Sequence, residues 1–274
     1  MEKRAFDFVP LQELGPKPRT KGVIEIRGSY YAPVGVHYLN DLFAMVGDYI
    51  DGFKFAGGSQ RLHPVSVIKQ IIKLCHDYGI YVSTGGFIER VAVEGARAID
   101  RYLEECKSLE FDVVEVSSGL ATISLPDKIA IVHEVHNLGL KAKPEISFML
   151  GAGAGTKVLG YKRRLRSLPD VFKEADAYLK AKAYMLMFES EGVTEDLPAK
   201  QWRTDLIKKL AQKFGTRAWM FEAAEPAVFK WYLQTFGPEV NLFIDHSQVF
   251  EFNAWRFKIW GDPRIWKGKK ISYR

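Results

Sequence analysis

The feature that most narrows what this chain can fold into is a recurring one: short apolar runs that finish in an ionisable residue or in glycine. VIEIRG (Val23–Gly28) ends on Arg27, YIDGFKFAGG (Tyr49–Gly58) near Lys54, and IYVSTGG (Ile80–Gly86) on Gly85 and Gly86. VVEVSSG (Val113–Gly119) carries Glu115 and Ser117, and KAKPEIS (Lys141–Ser147) carries Lys143 and Glu145. AYMLMFES (Ala183–Ser190) carries Glu189, RAWMFEAA (Arg217–Ala224) carries Glu222, and NLFIDHSQ (Asn241–Gln248) carries Asp245 and His246. Strand alternation puts Glu25 with Arg27, Glu115 with Ser117, and Lys143 with Glu145 on one face each. A charge inside a run of valines must be paired, metal-bound or catalytic, because burying it bare costs several kcal/mol.

Between these runs the apolar spacing turns helical. Val67, Ile68, Ile71, Ile72 and Cys75 mark a helix over Val65–Asp77 that Gly79 closes. Ser124 caps, and Pro126 opens, a helix with Ile129, Val132, Val135 and Leu138 on its apolar side and Gly139 at its end. Further helices are predicted over Pro169–Lys182, Trp202–Phe214 and Ala227–Phe236. Strands alternating with such helices predict a parallel sheet, and about eight repeats in roughly 250 residues fit a closed barrel better than an open sheet. The fold class is therefore α/β, a single-domain (β/α)8 TIM barrel over residues 22–249. Residues 1–21, with three prolines, read as an irregular N-terminal arm. Residues 250–274 read as a basic aromatic tail packing on the barrel.

Phe148–Asp170 is glycine-rich and then basic, and reads as an inserted loop. Its GAGAGT (Gly151–Thr156) is not a dinucleotide fingerprint, which would follow the first strand and open a helix. A hinge or lid is the better reading.

Composition excludes more than it selects. No apolar run approaches the roughly 20 residues needed to span a bilayer, and the N-terminal stretch has no signal-peptide core. Two isolated cysteines, Cys75 and Cys106, fit buried helix faces in a reducing compartment and argue against a zinc site, so a cytoplasmic protein is expected. The net charge of +6 suits a soluble basic protein or one with a small anionic ligand. No long basic run supports nucleic acid; FKWY (Phe229–Tyr232) and WRFKIW (Trp255–Trp260) are better packed against the barrel's outside. No membrane partner is expected, and a homo-oligomer is compatible with the sequence.

In such a barrel the site lies at the C-terminal strand ends, where Arg27, Lys54, Glu115, Ser117, Glu145, Glu189, Glu222 and Asp245 converge. Clustered carboxylates repel, and a hard cation such as Mg2+ would relieve that and stabilise an enolate. Glu115, Glu145 and Glu189 are the expected metal ligands. Lys54 or Arg27 would bind an anion or pass a proton, with Glu222, Asp245 and His246 as further catalytic candidates. Gly57, Gly58, Ser59, Gly85, Gly86, Ser117 and Lys143 are the expected substrate contacts, glycine allowing close approach. For any one of these charged residues a structural salt bridge is an equal alternative. His63, His133 and His136 have weaker claims.

At these same strand ends the sequence resembles the phosphosulfolactate synthase family, including its plant heat-stress-associated branch. DGFKFAGGS, YVSTGG, FDVVEVSSG, GLKAKPE, MFEA and VNLFIDHSQ occur in the family's order from about Gly22 to about Gly261, and KAKPE and NLFIDHSQ look like the plant branch. The resemblance implies a (β/α)8 barrel and, for archetypal members, Mg2+-dependent addition of sulfite to phosphoenolpyruvate. It places Lys54, Glu115, Glu145, Glu189 and Glu222 on matching motif positions and Arg27 on a usually basic one. Two departures stand out: Ser147, Phe148 and Met149 where archetypal members have lysines, and Glu191 where they have arginine. Losing those cations should weaken binding of a doubly anionic substrate. The alternative to a lyase or synthase with a diverged substrate is a non-catalytic stress protein acting through protein contacts. An enzyme should keep an open, polar, cation-lined mouth, and a scaffold should fill it.

Overall fold

Each apolar run becomes a strand because its alternate residues bury against two different cores. In the computed structural model, which describes residues 4–151, 164–270 and 272, the strands are β1 (Ile24–Arg27), β2 (Gly52–Lys54), β3 (Tyr81–Ser83), β4 (Val113–Val116), β5 (Lys141–Ile146), β6 (Leu186–Phe188), β7 (Trp219–Glu222) and β8 (Leu242–Asp245). They close into one parallel barrel in sequence order, β8 pairing with β1. One set of side chains, including Ile24, Ile26, Val114, Val116, Leu186 and Phe221, packs outward into the large core beneath the helices. The alternate set makes a smaller apolar cluster: Val23, Met185, Met187, Met220 and Phe243. The charged residues belong to this inward set.

The helices are α1 (Val36–Val46), α2 (Val65–Asp77), α3 (Ile88–Ala92), α4 (Ala96–Ser108), α5 (Leu125–Asn137), α6 (Leu168–Lys180), α7 (Thr204–Phe214), α8 (Pro226–Phe236), α9 (Val249–Arg256) and α10 (Pro263–Trp266). The α2 bounds match the sequence reading, and Ser124 does cap α5, its hydroxyl accepting from the Asp127 amide at 3.3 Å. Ser167 repeats the device at α6. Helix α7 starts two residues later than expected, because a short 3-10 turn at Ala199–Gln201 precedes Trp202. Helix α3 continues from a 3-10 turn at Gly85–Phe87 and has no counterpart in the sequence reading.

Residues 4–21 hold no helix or strand. Lys17 pins it by donating to the carbonyls of Gly47 (2.8 Å) and Tyr78 (3.0 Å), and Arg19 pairs with Asp51. The stretch read as a tail begins with α9, whose Phe252 packs edge-on against Phe229 of α8. Arg256 binds the carbonyls of Gly22 and Pro238. Lys230 lies 5.0 Å from the Trp255 ring, so the two aromatic–basic motifs meet each other. The inserted loop leaves the barrel on an antiparallel pair, Met149–Leu150 with Arg164–Leu165. Most of GAGAGT and Arg163 lie outside the described residues.

Candidate active site

The strand registers set the height of each charged group. Arg27 is level with Lys54 on β2 and Asp245 on β8, and Glu115 is level with Lys143 on β5. Above them opens a cavity of about 470 Å3 lined by Arg27, Lys54, Gly57, Gly58, Gly86, Glu115, Ser117, Glu145, Glu189 and Glu222. Ten of the expected site residues thus share one mouth. Tyr30, Tyr31, Phe87 and Phe243 supply its apolar walls.

Glycine is required where the loops come closest. Gly57 has φ +56°, and a Cβ there would sit 2.2 Å from the Tyr30 ring; at Gly86 it would sit 2.9 Å from Ser117 Oγ. Both positions keep the mouth open. Gly85 does something else: its Cβ would meet the Phe55 carbonyl at 2.3 Å, so it serves backbone packing and does not line the cavity.

Four other expected contacts also lie elsewhere. Lys143 is wholly buried beneath the floor, where its ammonium reaches Glu25. Ser59 is buried outside the lining. Asp245 accepts from the Ser247 amide at 2.9 Å, and His246 Nδ1 lies 2.7 Å from the Tyr38 hydroxyl, so neither faces the cavity. Asp245 is satisfied within its own loop and His246 by Tyr38 of α1, contacts that strand periodicity does not foresee.

The electrostatics are organised around two ion pairs. Lys54 Nζ is 2.8 Å from Glu115 Oε2, and Arg27 donates to Glu222 Oε1 at 2.5 Å. Burial, the largest influence on Lys54, favours its neutral form, but Glu115, Glu25, Glu145 and Glu222 outweigh it and push its pKa up. Burial likewise works to raise Glu115, and Lys54 and Lys143 together pull it below the ordinary carboxylate range. For the remaining carboxyls, Lys54 and Arg27 offset burial only in part. Burial first, then repulsion from Glu115, pushes Glu145 well up. Burial and Glu222 do the same to Glu189, and they raise Glu195 in the loop after β6.

Glu115 is already shared by two ammonium groups. The carboxylates that gather are Glu189, Glu195 and Glu222, with ligand oxygens within 4.8 Å of one another. Glu195 was missed from sequence because it sits in the loop SEGVTED and not at a strand end; the density of acid there was the available signal. The mouth is open and polar, yet carboxylates outnumber cations: Glu89, Glu115, Glu145, Glu189, Glu191, Glu195 and Glu222 against Arg27, Lys54 and Arg90. Arg166 does not make up the difference, being paired with Glu174 and bonded to the Ser147 carbonyl. Glu89 is occupied as well, accepting from the amides of Gly119, Leu120 and Ala121.

A sequence profile of (2R)-phospho-3-sulfolactate synthase (ComA) matches residues 12–262 of this chain. The chain belongs to that family. Within it, the protein heat-stress-associated 32 of Arabidopsis thaliana is 34% identical over 251 residues, covering 88% of this chain and 87% of the relative. A phosphosulfolactate synthase of Methanothermobacter thermautotrophicus is 24% identical over 242 residues, covering 87% and 88%. Among solved structures, 3-keto-L-gulonate-6-phosphate decarboxylase from Vibrio cholerae superposes with a TM-score of 0.55 at 11% identity, covering 88% of this chain and 100% of that one. This last likeness is one of fold. The blocks that carry the family resemblance, from DGFKFAGGS to NLFIDHSQ, are the strand ends that build the mouth.

Proposed function

We propose that this family member is a phosphosulfolactate synthase-like lyase or synthase, performing Mg2+-assisted enolate chemistry on a small carboxylate substrate. The observation that carries the reading is the open cavity with a protonated Lys54 on its floor beside the Glu189, Glu195 and Glu222 cluster. The donor set fits Mg2+: three converging carboxylates, hard oxygen ligands for a hard cation. When bound there, the ion would polarise a substrate carboxylate and stabilise negative charge on an enolate.

The chain's own groups take the remaining roles. Lys54, held cationic by its acidic neighbours, binds and orients an anion and is poorly suited to act as a base. Arg27, between the Tyr31 ring and Glu222, is the second anion contact. Proton transfer falls to Glu145, whose raised pKa keeps a proton available in the cavity. That reassigns the proton role first expected of Lys54, for the physical reason that its pKa moves the wrong way.

The substrate has diverged from the archetype. Phe148 is buried in the outer core, Ser147 Oγ is taken by the Met149 amide at 2.9 Å, and Glu191 adds a carboxylate to the lining. Phosphoenolpyruvate with sulfite should therefore turn over weakly or not at all, while Mg2+ still binds. The experiment is calorimetric titration with Mg2+, then with phosphoenolpyruvate and other small enol-forming carboxylates, beside a direct assay with sulfite. Robust phosphosulfolactate formation would refute the divergence, and absence of any Mg2+ binding would refute the metal-assisted reading. The second reading, a non-catalytic protein working through protein contacts, draws on the carboxylate excess; the open cavity speaks against it.

A further inference from the structure

The charged groups inside the barrel do not stop at the cavity floor. Glu25 on β1 and Lys143 on β5 stand four strands apart in a ring of eight, on opposite walls of the lumen. Their side chains meet across it at 2.5 Å, with neither exposed at all. Lys143 Nζ is also 3.3 Å from Glu115 Oε2, the oxygen that Lys54 Nζ approaches to 2.8 Å. Glu25, Lys143, Glu115 and Lys54 make one neutral chain of alternating sign. Only its Lys54–Glu115 end lines the cavity.

Such a pair is a poor way to stabilise a core. Apolar residues of similar volume are often as good or better in place of a buried ion pair, and barrel interiors are ordinarily packed with apolar layers. Methionines 185, 187 and 220 fill the lumen in that way here. The position of the pair explains it better. Lys143 gives Glu115 a second cation, which fixes the carboxylate on the floor so that it is not drawn up by Lys54 alone. Glu25 neutralises Lys143, so two ammonium groups can share one carboxylate oxygen without the lower one repelling the upper.

We propose that Glu25 and Lys143 are positioning residues: from beneath the floor they fix Glu115, and through it they hold the Lys54 ammonium aimed into the cavity. The inference rests on the reading of Lys54 as the anion-binding cation.

The test is the double variant Glu25→Leu/Lys143→Met, which removes both charges together and leaves none unpaired. In ligand-free protein carrying 15N-lysine, the Lys54 side-chain resonance should move or broaden while the melting temperature stays near that of wild type. Affinity for phosphoenolpyruvate with Mg2+ should fall by roughly 10- to 100-fold, the scale of losing an outer-shell partner. Lys143→Arg, which keeps a cation beside Glu115, should restore the resonance and most of the affinity. A folded double variant with an unchanged Lys54 resonance would overturn the proposal and make the pair structural. If wild type binds neither phosphoenolpyruvate nor the other small enol-forming carboxylates, the anion-binding reading fails, and the ligand-free resonance still decides the positioning role. Should the apolar pair fail to fold, Glu25→Gln/Lys143→Gln is read by the same resonance.

Discussion

Glu115 shows how much a single carboxylate can be asked to hold. It is fully buried, and two ammonium groups share one of its oxygens. Removing its charge strands Lys54 and leaves Lys143 to Glu25 alone, whereas removing Lys54 leaves Glu115 still paired with Lys143. Breaking a buried pair by deleting one partner typically costs about 3–5 kcal/mol. Glu115→Gln should reach that range and Lys54→Met should fall below it, as measured by urea denaturation. Equal costs, or the reverse order, would show that Lys143 does not compensate. The same geometry separates stability from metal binding. Mg2+ should raise the melting temperature of wild type and of any Glu115→Gln that folds, and should fail to raise that of Glu195→Gln. Loss of the shift in Glu115→Gln with its retention in Glu195→Gln would return the ion to the strand-end set of Glu115, Glu145 and Glu189.

At the scale of elements, α5 and α6 begin with the same four residues, Ser-Leu-Pro-Asp. In each, serine accepts from the amide three residues on, the aspartate accepts from the serine hydroxyl, and proline occupies the first turn, where no amide is needed. Ser124→Ala and Ser167→Ala should each cost about 1 kcal/mol. The caps are on separate helices, so the double variant should show the sum. A double variant no less stable than either single one would mean that the helix starts are held by the barrel loops alone. This signature could be read at Ser124 because the capping residues are adjacent in the chain. Helix α3 could not be read that way: it is a short helix following a 3-10 turn, held in place by contacts with α4 and by the loop amides that grip Glu89.

The whole molecule responds to pH through the excess of acid at its mouth. Glu145, Glu189 and Glu195 have folded-state pKa values raised above the usual 4.5. Across the window from there up to their folded-state values, the native state binds more protons than the unfolded chain. Stability contributed by these groups therefore falls as pH rises through that window. Glu115 and Glu174, held low by their cations, have the opposite sign and act as pH falls below 4.5. A cation at the cluster replaces the protons, so the rise in melting temperature with Mg2+ should be larger at about pH 8 than at about pH 6. Melting curves at both values decide it, and a shift independent of pH would mean that the ion does not sit among the raised carboxyls.

The sequence alone determined the barrel and most of the mouth. Alternating burial and helical spacing are local patterns, and a charge at the end of an apolar run has few places to go. That is why Arg27, Lys54, Glu115, Glu145, Glu189 and Glu222 can be gathered from six strands on pattern alone. Only the tertiary structure decided how they divide. Lys143 and Glu145 share a face of one strand, yet one ammonium turns down to Glu25 across the lumen while the carboxyl opens into the cavity. Glu195 joins Glu189 and Glu222 from a loop with no periodicity to announce it. Asp245 and His246 turn aside to Ser247 and Tyr38. Strand pattern sets which face a residue takes. Which partner it meets there depends on strand stagger and loop path, and those follow from how the barrel closes.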